Sequence, residues 1–368
     1  MTATMPRTLF GYISRQFLMW CGGVFFVMLA LIFLADLIEL LRRGADRPDA
    51  TLLVLLEMTS LKLPYTAQEA TPFAMLLGSI LAFWRMTRTQ ELIVARAAGV
   101  SVWQFLMPGL SIAFLVGVAG VTIFNPIASV TQTHFKVMEN RILRGTDNPL
   151  LLSDSGLWLR QSDGIGTQSV IHAGRLSQQK ALATDVTIFF FSRADKLTGR
   201  VDAKSAQLED TRWRIADAWQ WRPDQPAVQF VSELFVPTNL TPKKIEESFA
   251  SPDTMSFWQL PSFIALLENS GFSAQKHRLY FDSLLARPFL LCAMVLVAAI
   301  FSLRMQRRGG TTLMVVGGVF AGFMLYFVSE MVFTLGLSST IPVALAAWTP
   351  AGISTLLGIT FLLHLEDG

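Results

Sequence analysis

Residues 17–37 read FLMWCGGVFFVMLALIFLADL, an apolar run interrupted only by Asp36 near its end. At about 1.5 Å of helical rise per residue, such a run spans a hydrocarbon core of roughly 30 Å. It is too long for the apolar core of a cleavable signal, and no small-x-small exit follows it, so the sequence predicts a retained first transmembrane helix. Runs of similar length occur at 63–84, 102–124, 284–303, 313–335 and 341–363, giving six expected spans. The second is the least clean, with Lys62, Pro64, Glu69 and Pro72 in or beside its first half. Neighbouring helices would have to satisfy the carbonyls that its prolines free.

Composition agrees. Of 368 residues, 52% are hydrophobic and 15% charged, with a mean hydropathy of +0.46, which is more apolar material than a soluble core of this size uses. The formal charge of +3 and the scattering of arginines beside apolar runs argue against nucleic acid as a partner. Cys21 and Cys292 both lie in apolar segments, which leaves no disulfide framework and no zinc cluster. No Gly-x-x-x-x-Gly-Lys loop, no paired histidine spacing among His134, His172, His277 and His364, and no Gly-x-Ser-x-Gly elbow occurs. The chain is therefore expected to be no enzyme and to need no cofactor or metal. ATP use would require a partner.

Arg7 and Arg15 precede the first span, Arg85, Arg88 and Arg96 follow the second, and Arg304, Arg307 and Arg308 follow the fourth, so these ends are expected to face the cytoplasm. Arg42, Arg43 and Arg47, after the first span, run against that tendency. Between the third and fourth spans the pattern changes to strand-like segments at 157–160, 169–176, 185–192, 199–208, 212–222 and 230–236, separated by turns such as Asp163-Gly164 and Pro223-Asp224. Trp213 and Ile215, then Trp219 and Trp221, alternate with polar or small residues, as on a sheet with one buried and one wet face. An antiparallel sandwich or open roll is expected. Residues 257–268 place Leu260, Phe263, Ile264 and Leu267 on one helical face, with Gly271 positioned to end a surface helix. The expected fold class is thus membrane α+β: three spans (1–134), a β domain (135–255), then the surface helix and three more spans (256–368).

The loop after the second span reads RMTRTQELIVARAAGVS from Arg85 to Ser101. Thr87 and Gln90 have capping-box spacing, Glu91 lies in the first turn, Arg96 in the last, and Gly99 suits a left-handed stop, so a short helix over 87–98 is expected. It serves either as a docking peg or simply as a self-stabilised turn with topology-setting arginines. This stretch resembles the coupling segment of the lipopolysaccharide-export permeases, the LptF/LptG family, which reads Ser-Glu-Leu followed by Ala-Ser/Ala-Gly. Here the residues are Gln90-Glu91-Leu92 and Ala97-Ala98-Gly99. The similarity extends to Asn239-Leu240-Thr241-Pro242, to Ser270-Gly271 and to the three-plus-three layout, and the spacing of the last two spans is closer to the LptG branch.

The resemblance implies a multi-pass permease of the bacterial inner membrane whose β-jellyroll lies in the periplasm. Its implied partners are a sister permease, a cytoplasmic ATPase dimer, a periplasmic β-jellyroll bridge and lipopolysaccharide. It also implies coupling through Arg88, Glu91, Leu92, Arg96 and Gly99, with Glu91 and Leu92 seated in the ATPase groove. Arg42, Arg43 and Arg141 match basic positions of the family, whereas Asp36 departs from its frequent lysine.

Independently of the family, Asp36, Glu39, Arg42, Arg43, Lys62, Glu69, Asp282, Arg287 and Glu330 all fall toward one end of their helices. Ionisable groups at membrane depth are expensive, and they mark either a headgroup site or mutual ion pairing. Guanidinium forks suit phosphate and carboxylate, which makes Arg42 and Arg43, with the Lys62 ammonium beside them, candidate substrate contacts, to which the family resemblance adds Arg141. Phe320, Phe323, Tyr326 and Phe327 in the fifth span suit either an acyl-chain cavity or ordinary helix packing. Two other functions stay open: a proton-coupled carrier, which needs relays reaching both membrane faces, and a membrane-anchored sensor or scaffold.

Overall fold

A computed structural model describes residues 7–45, 47–144, 150–153, 156–162, 168–177, 182–192, 196–209, 212–223, 227–238, 251–269, 273–302, 311–338 and 340–367. Arg304, Arg307, Arg308, the 239–242 stretch, Ser270 and Gly271 lie outside them. The helices are α1 (Arg7–Gly44), α2 (Leu52–Arg88), α3 (Glu91–Ala97), α4 (Val102–Ala119), α5 (Asn125–Glu139), α6 (Leu260–Asn269), α7 (Gln275–Ser302), α8 (Thr311–Leu337) and α9 (Val343–Asp367). A π-helical turn, Gly120–Phe124, joins α4 to α5, and a second, Asn140–Arg144, follows α5.

Five described helices are long and apolar enough to cross a membrane: Arg7–Gly44, Val102–Leu143, Gln275–Ser302, Val316–Leu337 and Val343–His364. The remaining expected span, in α2, does not reach that standard. It is nevertheless one continuous helix through Pro64 and Pro72. α2 packs against α1, α5, α7 and α8, so its neighbours cover much of it and it can carry Lys62, Gln68 and Glu69 without exposing them all to lipid.

The chain divides into two compact units, Met1–Arg144 with Pro252–Leu260 and Gln275–Gly368, and Gly145–Ser251 with Pro261–Ala274. The core of the first unit is aromatic and close-packed. Phe17 and Phe83 are fully buried with ring centroids 6.0 Å apart, and Phe83 meets Phe105 at 6.3 Å. Gly78 lets α2 approach the backbone of α1 directly, because a Cβ there would collide with Cys21.

The second unit carries one antiparallel sheet whose seven strands follow in chain order: β1 (Leu150–Ser153), β2 (Gly156–Ser162), β3 (Gln168–Ser177), β4 (Leu182–Phe191), β5 (Leu197–Glu209), β6 (Arg212–Trp221) and β7 (Gln229–Pro237). All six expected strands are present, and β1 is an addition. The continuous meander is the open-roll alternative, without the crossed strand order of a Greek-key sandwich.

The expected face of β6 needs one correction. Trp213 and Ile215 are buried, but Trp219 and Trp221 are exposed. Between them Asp217 adopts φ +54°, a local left-handed kink that shifts the alternation by one residue, so Ala218 turns inward instead. Asp185, at φ +55°, does the same in β4, where the buried positions change from Ala183 to Val186 and Ile188. In α6, Leu260, Ile264 and Leu267 are buried on the expected face.

Candidate functional site

The loop between α2 and α4 is built differently from its expected form. α2 runs on to Arg88, so Thr87 lies inside it and its hydroxyl donates to Phe83 O at 2.8 Å. The Thr87–Gln90 capping box is therefore absent. Gln90 is the N-cap residue of α3, held at φ +59° without a side-chain cap, and the helix turns sharply there. A capping box does form one helix later: Gln104 N–H donates to Ser101 Oγ and Ser101 N–H donates to Gln104 Oε1, each at 3.2 Å.

The end of α3 follows the sequence expectation. Gly99 has φ +84°, Gly99 N–H donates to Arg96 O at 2.9 Å and Val100 N–H donates to Ala95 O at 3.0 Å, the paired closure of a Schellman motif. Glu91 opens the helix beside its positive end. Tyr12 Oη donates to Glu91 Oε1 at 3.1 Å, and Thr89 Oγ1 donates to the same oxygen at 2.9 Å. Gln16 Nε2 donates to Tyr12 Oη at 3.4 Å, while the Arg85 guanidinium donates to Gln16 Oε1. One chain of hydrogen bonds thus ties the first turns of α1 to the end of α2 and the start of α3.

Burial divides α3 into two faces. Leu92 and Ala95 sit in the subunit's own core with Met86, Val102 and Phe105, whereas Ile93 and Val94 are exposed alongside Arg96. Leu92 is thereby an anchor, and the apolar surface that α3 offers outward is Ile93 and Val94, two residues the sequence reading passed over. Arg88 stacks over Trp84 at 5.3 Å, a cation–π contact one helical turn apart.

At the other end of the bundle, the ionisable residues separate into pairs. Lys62 Nζ lies 2.7 Å from Asp36 Oδ1 and over the Phe135 ring at 6.0 Å. Arg43 meets Glu139 at 2.6 Å, and Arg42 meets Glu39 on its own helix at 2.9 Å. Arg287 joins Glu69 at 2.7 Å and donates to Gln68 O at 3.4 Å. Asp36, whose charge departs from the family pattern, is thus the counter-ion of Lys62. Arg141 is exposed and, among the described residues, unpaired. Phe320, Phe323 and Phe327 are each more than half exposed, while Tyr326 lines a cleft of about 270 Å³ with Tyr65, Glu69, Arg287 and Glu330.

Residues 11–364 match the family model described as lipopolysaccharide export system permease LptF/LptG. The lipopolysaccharide export system permease protein LptG of Escherichia coli strain K12 is 24% identical over 312 residues, covering 83% of this chain and 84% of that protein. The LptG protein of Haemophilus influenzae is 22% identical over 357 residues, covering 94% and 96%. With apolar helices of membrane-spanning length and nearly its whole length inside the match, the chain belongs to the LptF/LptG family of lipopolysaccharide export permeases, on its LptG branch.

Proposed function

We propose that the chain is the transmembrane permease subunit of an ATP-driven exporter that extracts lipopolysaccharide from the inner membrane and passes it to a periplasmic β-jellyroll bridge. In this reading the chain supplies six spans, α2 included, and hydrolyses nothing itself. A cytoplasmic ATPase dimer and a sister permease complete the machine, and the sheet unit lies in the periplasm. The family match over residues 11–364 carries the proposal.

Two features of the bundle support it. α3 is capped at its end and bonded to α1 through Tyr12, so a push on it is delivered to α1 instead of being absorbed by a loose loop. Arg88, Glu91, Arg96 and Gly99 shape the docking face, Leu92 anchors it, and Ile93 and Val94 fill the ATPase groove. The outward faces of α1 (Phe26, Leu31, Ile38) and α8 (Phe320, Phe323, Phe327) are the apolar surfaces left for the sister permease and the acyl chains.

For the anionic headgroup, Arg141 and Arg42 are the leading contacts: the Arg42–Glu39 pair is the most exposed of the three, whereas Lys62 and Arg43 face carboxylates that are largely buried. These two join only when the substrate's phosphates displace Asp36 and Glu139.

The test is affinity purification in mild detergent followed by an ATPase assay with and without Glu91→Ala. Co-purification of an ATPase whose turnover falls with the substitution is expected. Turnover unaffected by Glu91→Ala would defeat the docking assignment, and the absence of any ATPase would favour a membrane-anchored sensor.

A further inference from the structure

A second cavity, of about 460 Å³, lies between α1, α2, α4 and α7. It is no part of the coupling loop, of the paired charges at the ends of α1, or of the aromatic face of α8. Its mouth is at the bundle surface, where Leu18, Ile123 and Phe124 are exposed, and its floor is buried at Met75 and Leu291. Gly22 and Gly120 line it, and a Cβ built on either meets nothing within 4 Å. Neither glycine is required by packing, and each leaves the cavity wider than any other residue would. The wall at Gly120 is the π-helical turn, an irregularity that helices tolerate most often at functional positions.

Gln68 lines the same cavity. The residue is 3% exposed, its Oε1 accepts from Asn125 Nδ2 at 3.4 Å, and its Nε2 is buried without a hydrogen-bond partner among the described residues. A buried amide donor with nothing to bond is costly, and it is the kind of group a ligand satisfies. Of the other polar groups at the wall, the Thr71 hydroxyl already donates to Ala67 O at 2.9 Å, and the charge of Arg287 is met by Glu69.

We propose that this cavity holds one acyl chain of a resident membrane phospholipid, with an ester carbonyl accepting a hydrogen bond from Gln68 Nε2. Three of the four helices that form it have membrane-spanning length and composition, so its mouth meets lipid hydrocarbon. Its walls are almost wholly apolar and its volume falls within the ordinary range for small-ligand sites. The polar groups on offer are donors without spare charge, which suits a neutral carbonyl and not a phosphate-rich headgroup. The chain would complete the seam between α1 and α4 much as a side chain does. This inference requires only that the protein sits in a bilayer, and it stands or falls apart from the export reading.

The test reconstitutes the full chain in nanodiscs of phosphatidylethanolamine and phosphatidylglycerol, with a trace of phosphatidylethanolamine bearing a photoactivatable diazirine on one acyl chain. Adducts are then mapped by mass spectrometry. Labelling is expected to concentrate on 18–25 and 112–124. It should fall severalfold in Gly22→Leu and Gly120→Leu, which fill the cavity, while labelling of the outward face of α8 at 320–327 stays constant. Gln68→Leu, which adds no bulk, should lower it as well. Cavity labelling no stronger than that of the α8 face, or unchanged by both filling substitutions, overturns the proposal. So does its displacement by added lipopolysaccharide, since the cavity would then belong to the exported lipid. If a filled variant melts early, the wild-type map and Gln68→Leu decide.

Discussion

Tyr12 and Glu91 are 79 residues apart in sequence, yet the phenol Oη donates to the carboxylate Oε1 at 3.1 Å. This contact fastens α1 to the short helix α3. Tyr12→Phe deletes this exposed hydrogen bond and the longer one from Gln16 Nε2, which together should lower stability by about 1–2 kcal/mol. In the proposed exporter, transport coupled to ATP hydrolysis should then fall severalfold at nearly unchanged melting temperature. Equal loss of transport and of folded protein would mean that the contact is only structural.

Gly99 closes α3 in the left-handed region at φ +84° with open space around it. A Cβ there meets no neighbour, so the penalty for Gly99→Ala is that of the backbone alone, about 1–2 kcal/mol. The substitution should fray the last turn of α3, seen as faster amide exchange at Val100 in a hydrogen-exchange experiment, with the rest of the bundle unaffected.

Gly78 presents the opposite case, in which space is lacking. A Cβ at that position would lie 2.8 Å from Cys21 Sγ and closer still to the Cys21 Cα. Gly78→Ala should therefore cost about 1–3 kcal/mol in chemical or thermal unfolding in detergent. Cys21→Ala should not rescue it, because the obstruction is backbone. Gly23→Ala, in open space on the same helix α1, should be neutral or stabilise by up to about 1 kcal/mol.

Asp36 and Lys62 form a partly buried pair, with side-chain exposures of 17% and 29%. Removing one partner strands the other, so Asp36→Ala and Lys62→Ala should each destabilise by about 1–3 kcal/mol, between the values for exposed and buried pairs. The double substitution to Leu should recover most of the loss. A double-mutant cycle on unfolding free energy measures the coupling, and a coupling near zero would show that the two charges act independently.

Trp213 is 1% exposed and Trp219 53%. Trp213→Ala should cost about 3–5 kcal/mol. Trp219→Ala, which loses an exposed cross-strand contact with Phe230 at 5.1 Å, should cost about 1 kcal/mol at most. Fluorescence quenching by iodide, compared between single-tryptophan variants, checks the same inside–outside assignment without relying on stability.

Much of the architecture could be read directly. Apolar runs located the five described helices of spanning length, strand-like segments between turn residues located six of the seven described strands, and Gly99 marked the end of α3. The misreadings arose where a local pattern had more than one realisation. Thr87 and Gln90 have capping-box spacing, but α2 was free to continue, and once it did Thr87 had a carbonyl of its own turn to bond. Trp219 and Trp221 sit two residues apart like Trp213 and Ile215, but a single φ of +54° at Asp217 moved them to the other face.

What the chain's own order of residues determined is the sequence of elements, because periodicity and run length act within a few helical turns or one strand. Which charges neutralise each other, which face of α3 turns outward, and that Gln68 lines an apolar cavity were decided only by tertiary structure. Those outcomes depend on groups brought together from segments far apart, and no local pattern encodes a distance across the bundle.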